Sequence, residues 1–361
     1  MDTLKTYASN TLAACGNQTV AVSGDPRKIE SGMTFLKVFR GGNHKYIFAF
    51  SAVLDSTFAD GRVSRCNDVC PPWTVHSLKA AVVKECSPEA AEKADFVPVT
   101  FEGEKSAVIS EDIRFTDAAE LNAEKGDYIC LFTEYSGEKV PCHAESIIAL
   151  YRKLDGEWKL SPTFPVPVFT GIEYAAKKRI AFIGDSITQG IGSTFNSYRH
   201  YAAKTAELIG EEYAYWDMGI GYARGYDAST DGVWLQKAKQ NDVVSVCFGV
   251  NDMFQGFTAE QVMQSISTII EKLKAAGAKV LIQTVPPFDY DEHYNAMWQS
   301  INDFIVNEAA PKADAFFDNR KILSADGDKS PKAKYGGHPN DEGHGLWAQA
   351  LAPVLKKLIE E

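Results

Sequence analysis

"KKRIAFIGDSITQG", residues 177 to 190, decides the reading of this chain. An apolar run, Ile180 to Ile183, passes directly into Gly184-Asp185-Ser186. A short unbroken apolar run closed by a turn signal predicts a strand over residues 179–184, buried on both faces. In an open parallel sheet, ligands bind beyond the carboxyl ends of the strands, so a serine at that position is a candidate for chemistry.

The same pattern of strand, loop and helix continues downstream. Further strands are predicted at 213–219, 242–249, 278–287 and 313–318. A helix begins at Thr258, with Gln261 three residues on as a capping-box partner. Its Val262, Ile266, Ile269, Ile270 and Leu273 share one face, and Gly277 stops it. A last helix follows His338-Pro339, with Leu346, Ala350, Leu351, Val354, Leu355 and Leu358 expected to face inward. Buried strands alternating with helices predict an α/β/α layer fold around a five-stranded parallel sheet.

Four strand ends then carry the polar residues. They read "GDS" at 184–186, "DMGIGYARG" at 217–225, "GVND" at 249–252 and, after the fifth strand, "YGGHPNDEGH" at 335–344. A serine hydroxyl becomes a nucleophile only when a base takes its proton, and the oxyanion it generates needs aimed donors. These loops offer a serine, glycine-rich backbone, an asparagine amide and a histidine. Each has an ordinary structural reading: Ser186 as a helix cap, Asn251-Asp252 as a turn, His338 as a surface residue before a helix-starting proline. Acyl transfer explains all four at once. No ion or organic cofactor is required by this set, and no metal site is expected.

Upstream, the period changes. Short apolar runs at 46–54, 79–83, 96–101, 127–135 and 146–154 lie between turn signals such as Gly41-Gly42, Asp60-Gly61, Gly103, Gly126-Asp127 and Asp155-Gly156. Strands at this spacing predict an antiparallel, jelly-roll-like β-sandwich. The proline-bearing 160–169 reads as an extended strap. The expected organisation is therefore a β-sandwich over residues 1–170 and a catalytic α/β domain over 171–361.

The formal net charge of -11 argues against a nucleic-acid partner. Residues 1–20 lack a basic segment followed by an apolar core, so no signal peptide is expected, and no apolar run approaches a membrane span. Seven scattered cysteines, Cys15, Cys66, Cys70, Cys86, Cys130, Cys142 and Cys247, suit free thiols in a reducing, cytoplasmic setting. Cys66 and Cys70 lack a second ligand pair for zinc.

The constellation resembles the SGNH hydrolases, the GDSL esterase/lipase family. "GDSIT" is similar to that family's first motif, "GVND" to its third and "HPN" to its fifth, in the family's order, and "TVPP" at 284–287 falls at a fourth strand end. The resemblance covers residues 178–361. It implies Ser186 as nucleophile, His338 as general base, and the Asn251 amide with the Ser186 N–H as oxyanion donors. Asp185 would hold the loop. The α/β-hydrolase elbow G-x-S-x-G is not met, because Thr188 stands at its second glycine.

Two departures stand out. The family's second motif ends on a glycine whose N–H joins the oxyanion hole; here the place falls to Gly221 or Tyr222. The family also carries Asp three residues before the histidine, where this chain has Tyr335. Either Asp326 or Asp328 replaces it, or a Ser-His dyad operates, with histidine Nδ1 donating to a carbonyl. Asp341 and His344 share the D-x-x-H spacing but sit at a helix start, where an acid favours the dipole.

A β-sandwich ahead of such a domain resembles two-domain bacterial carbohydrate esterases. That implies removal of acetyl groups from oligosaccharides, with Trp73, Trp216, Tyr222 and Arg224 as candidate sugar contacts, Arg224 foremost. An arylesterase, thioesterase or lipid-acyl hydrolase uses the same chemistry, though no long apolar lid is present. A catalytically weakened carbohydrate-binding protein is the third alternative.

Overall fold

The computed structural model describes residues 3–13, 18–56, 66–144, 147–327 and 330–361. Cys15, the Asp60-Gly61 turn and Asp328 lie outside them. The chain divides into two compact units: Met1–Asp55 with Asn67–Ala175, and Ser56–Cys66 with Ala176–Glu361.

The first unit is strand-rich and antiparallel. Its largest sheet has seven strands, with Tyr128–Ser136 at its centre between Glu30–Lys37 and Trp73–Val83. A five-stranded sheet is built on Gly42–Phe50, and a three-stranded one on Lys139–Ala144. Aromatic residues fill the core: Trp73 meets Phe50 and Tyr135 edge-on at centroid distances of 6.0 and 6.2 Å. Such contacts add to the apolar burial that holds a sheet face.

The second unit is a parallel sheet covered by helices. Its strands are β1 (Arg179–Gly184), β2 (Ala214–Gly219), β3 (Val243–Cys247), β4 (Lys279–Gln283) and β5 (Ala315–Phe317), in spatial order 2-1-3-4-5. The predicted strands fall on these positions, and β1 begins at Arg179 and ends at Gly184 as its sequence indicates. The order reverses beside β1, so a crevice opens at its carboxyl end, where Ser186 follows.

The helix Ala259–Ala275 has Thr258 as N-cap, and the reciprocal bonds with Gln261 complete the expected capping box. The final helix, Asp341–Glu360, is capped by Asn340, whose Oδ1 accepts from the Gly343 N–H. Its buried face differs from expectation: Leu346 is exposed, Ala350 and Val354 are only half-buried, and Trp347 takes the inward place. Trp347 stacks on Tyr201 at 3.9 Å, and its Nε1 donates to Gln283 Oε1 on β4. A tryptophan supplies both apolar area and a buried donor that β4 can satisfy, which leucine cannot. The helix that follows the histidine loop is thereby pinned to the sheet.

Among the described residues no helix is long and apolar enough to cross a membrane. Cys70, Cys130, Cys142 and Cys247 are buried and form no disulfide among the described residues.

Candidate active site

Ser186 opens a one-turn helix, Ser186–Gln189, directly after β1. Asp185 caps it: Oδ1 accepts from the Ile187 N–H at 2.9 Å. Gly190, at φ +105°, closes it. Gly184 has no alternative here, since a Cβ would lie 2.0 Å from Thr188 Oγ1 and 2.7 Å from the Cys247 carbonyl oxygen. The sequence G-D-S thus folds as it does because the glycine admits the turn, the aspartate caps it and the serine is delivered at the strand end.

His338 arrives from the loop before the last helix. Its Nε2 lies 2.7 Å from Ser186 Oγ, across 152 positions of sequence. Burial holds the imidazole below its usual pKa, which keeps it neutral near pH 7 and able to accept the serine proton. The Phe288 ring stands edge-on to it at 5.2 Å. Among the described residues no carboxylate bonds Nδ1. Tyr335 turns to the last helix, where a Cβ at Gly343 would meet its Cβ at 2.7 Å. Asp326 is exposed and forms no side-chain bond to a described residue.

Asn251 lies on the short helix Val250–Phe254 after β3, and its Nδ2 donates to the Ala223 carbonyl at 3.1 Å. Gln255 Nε2 donates to the Tyr222 carbonyl at 3.0 Å. Asp252, which the sequence offered only as part of a turn with Asn251, is fully buried and accepts the Gly225 and Tyr226 N–H groups at 2.8 and 3.1 Å. The third loop therefore holds the second. Between them Tyr222 adopts φ +61°, a left-handed conformation that favours glycine and costs other residues about 1–2 kcal/mol. Gly221, its neighbour, is buried.

Arg224 corrects an expectation. It is completely buried, and Asp227 receives its guanidinium through Nε at 3.1 Å and Nη2 at 2.9 Å. Ser56 Oγ also donates to Asp227 Oδ2 at 3.0 Å. Arg224 therefore braces the second loop and is not exposed to a sugar. Trp73 and Trp216 are likewise core residues. Tyr222, by contrast, is 40 % exposed.

Asp341 and His344 take structural places. Asp341 accepts from the Thr194 N–H and Oγ1, both at 2.7 Å, and from Arg199. His344 is buried, accepts the Tyr201 N–H at Nδ1, and is pushed down to about 3 by burial. A second pair escaped sequence reasoning: His200 Nε2 lies 2.9 Å from Asp217 Oδ2, both buried, while Asp217 Oδ1 accepts the Gly219 N–H at 2.9 Å. Its only sequence signal is Asp217 two residues before the Gly219 that ends β2. No group of three or more metal-ligating side chains occurs among the described residues.

Residues 182–346, within the second unit, match the GDSL-like Lipase/Acylhydrolase family. The chain is 26% identical over 191 residues to the Thioesterase 1/protease 1/lysophospholipase L1 of Escherichia coli K12, covering 51% of this chain and 86% of that protein. Among solved structures it is similar to the psychrotrophic esterase EstA of Pseudoalteromonas sp. (16% identity, TM-score 0.39, 51% of this chain and 99% of that one). It is also similar to Est24, a carbohydrate acetylesterase from Sinorhizobium meliloti (18% identity, TM-score 0.38, 50% and 99%).

Proposed function

We propose that the protein is a serine esterase that removes acetyl groups from carbohydrate, with oligosaccharides as substrates, and that it works through a Ser186–His338 dyad. The observation that carries this reading is the 2.7 Å approach of Ser186 Oγ to a neutral His338 Nε2. With Nε2 as acceptor, the ring proton resides on Nδ1.

In the first half-reaction Oγ attacks the ester carbonyl as its proton passes to Nε2. The oxyanion is met by the Asn251 amide, the Ser186 N–H and the Tyr222 N–H. Tyr222 is assigned in preference to Gly221 because its φ of +61° is what a glycine in that place would supply. The C–O bond to the alcohol then breaks and Nε2–H delivers its proton to the leaving oxygen. Water then gives a proton to Nε2 as its oxygen attacks the acetyl carbonyl, the C–O bond to Ser186 breaks, Nε2–H returns its proton to Oγ, and acetate leaves. Removing one oxyanion donor costs about 10²–10³ in turnover, so Asn251→Ala belongs in that range.

The first unit supports the carbohydrate reading as an accessory domain. Ring contacts of Trp73 with Phe50 and Tyr135 join strands of its two larger antiparallel sheets, which supports reading it as a β-sandwich. The buried thiols of Cys70, Cys130, Cys142 and Cys247, with no disulfide among the described residues, are in keeping with a reducing, cytoplasmic setting, where imported oligosaccharides rather than polymer would be met.

A screen of acyl esters of increasing chain length beside acetylated oligosaccharides tests the reading. Acetyl esters should turn over much faster than chains of eight carbons or more, with or without chelator. Rates that climb with chain length would replace it with a lipase.

A further inference from the structure

The geometry points to Phe254 as the platform for the ring of the leaving alcohol, so that this site selects acetyl esters of pyranoses by the alcohol they release. The inference rests on the esterase reading above.

The leaving oxygen must come within hydrogen-bond reach of His338 Nε2 to receive its proton. Whatever that oxygen carries therefore emerges beside the imidazole. The group found there is Phe288, 5.2 Å from the imidazole centroid and nearly perpendicular to it. Phe254 continues the same surface, 5.4 Å from Phe288, and Tyr294 lies 4.9 Å beyond. Phe254 is also three residues after Asn251 on one helical turn, the spacing that puts two side chains on one side. It is thus held between the oxyanion donor and the ring flanking the base.

The surface has a rigid floor and an open top. Tyr290 and Trp298 lie beneath, both buried, with Trp298 Nε1 bonded to the Val285 carbonyl at 2.8 Å. Phe254 remains 41 % exposed, which a packing role does not require. Exposed His293 and the part-buried Tyr294 supply a polar rim. An apolar floor with polar edges matches a pyranose, which presents a C–H face and a hydroxyl perimeter.

Every acetate ester passes through the same acetyl-Ser186. An effect that depends on the alcohol must therefore arise in binding or acylation. The experiment compares wild type with Phe254→Ala, Phe254→Leu and Phe254→Trp on an acetylated methyl glycoside, phenyl acetate, methyl acetate and methyl butyrate.

The ratio of kcat/KM for the glycoside over methyl acetate should fall about tenfold in Phe254→Ala, through KM, as expected for loss of one stacking contact. Phe254→Leu, which keeps apolar bulk and lacks a ring face, should fall with it, and Phe254→Trp should restore the ratio. If Phe254→Ala does not fold, Phe254→Leu carries the comparison. An unchanged ratio, or a change in butyrate over acetate instead, would overturn the proposal, the latter making Phe254 an acyl-side wall. A loss confined to phenyl acetate would overturn the pyranose assignment. Wild type inactive on all four esters would overturn the esterase reading itself, and this proposal with it.

Discussion

Gly192 lies against the backbone of His338 so closely that a Cβ on it would stand 2.7 Å from the His338 carbonyl oxygen and 2.5 Å from that of Pro339. Its φ of +99° excludes a side chain on conformational grounds as well. The segment after the serine helix therefore sets the position of the histidine loop. Gly192→Ala should lower the melting temperature and reduce kcat about a hundredfold, since a shift on the order of 1 Å in a catalytic group costs that much. Normal turnover in that variant would show that the contact does not place His338.

The acid limb of activity should lie low. Burial depresses the His338 pKa below its ordinary 6.5, and in the proposed mechanism the neutral ring is the active form. The profile of kcat/KM should be level at pH 7–8 and fall with a midpoint below 6.5. Asp185, beside the serine, also titrates in this range, so the profile is best recorded on Asp185→Asn as well. A limb that persists there belongs to His338; one centred above 6.5 would contradict the assignment.

Asp185 itself ties stability to pH. Burial, partly opposed by the Ile187 N–H, raises its carboxyl from 3.8 to about 7. The stability contributed by its protonated form is present in full below 3.8 and is lost as pH rises through about 7. Asparagine keeps the cap and cannot ionise. The melting temperature of Asp185→Asn relative to wild type should therefore increase between pH 4 and pH 8. A difference that stays constant or shrinks would show that the carboxylate is better accommodated than its burial indicates.

The dyad makes a separate statement. Asp326 is exposed and unbonded to the histidine, so Asp326→Ala should retain turnover within about twofold, and the same outcome is expected for Asp328→Ala. Loss of a triad aspartate costs on the order of 10⁴. A collapse of that size in either variant, with the fold retained, would establish a displaced triad. His338→Ala should be severe in every case.

The sheet of the second unit was legible because its strands are unbroken apolar runs ended by small polar residues, and β1 was read to the residue. The capped helix after Thr258 was legible for the same reason: side chains three and four apart and a local cap carry the signal. Ser186 drew attention because it follows a strand end, and His338 because it lies in the polar segment that leads into the last helix. Arg224 was misread because a guanidinium after a glycine-rich loop looks the same in sequence whether it faces solvent or a buried carboxylate; the pairing with Asp227 depends on the fold of the turn. Leu346 was misplaced by a single step around the last helix. The His200–Asp217 pair brings together side chains from a helix N-cap and from β2, a juxtaposition no local pattern encodes. Phe254 carried one overlooked signal, its three-residue spacing from Asn251.

The most direct test of the account is covalent labelling of the nucleophile. A fluorophosphonate probe should react once, at Ser186, in wild type, and should fail to label Ser186→Ala under the same conditions. Labelling that persists in Ser186→Ala, or that maps to another serine, would contradict the mechanism.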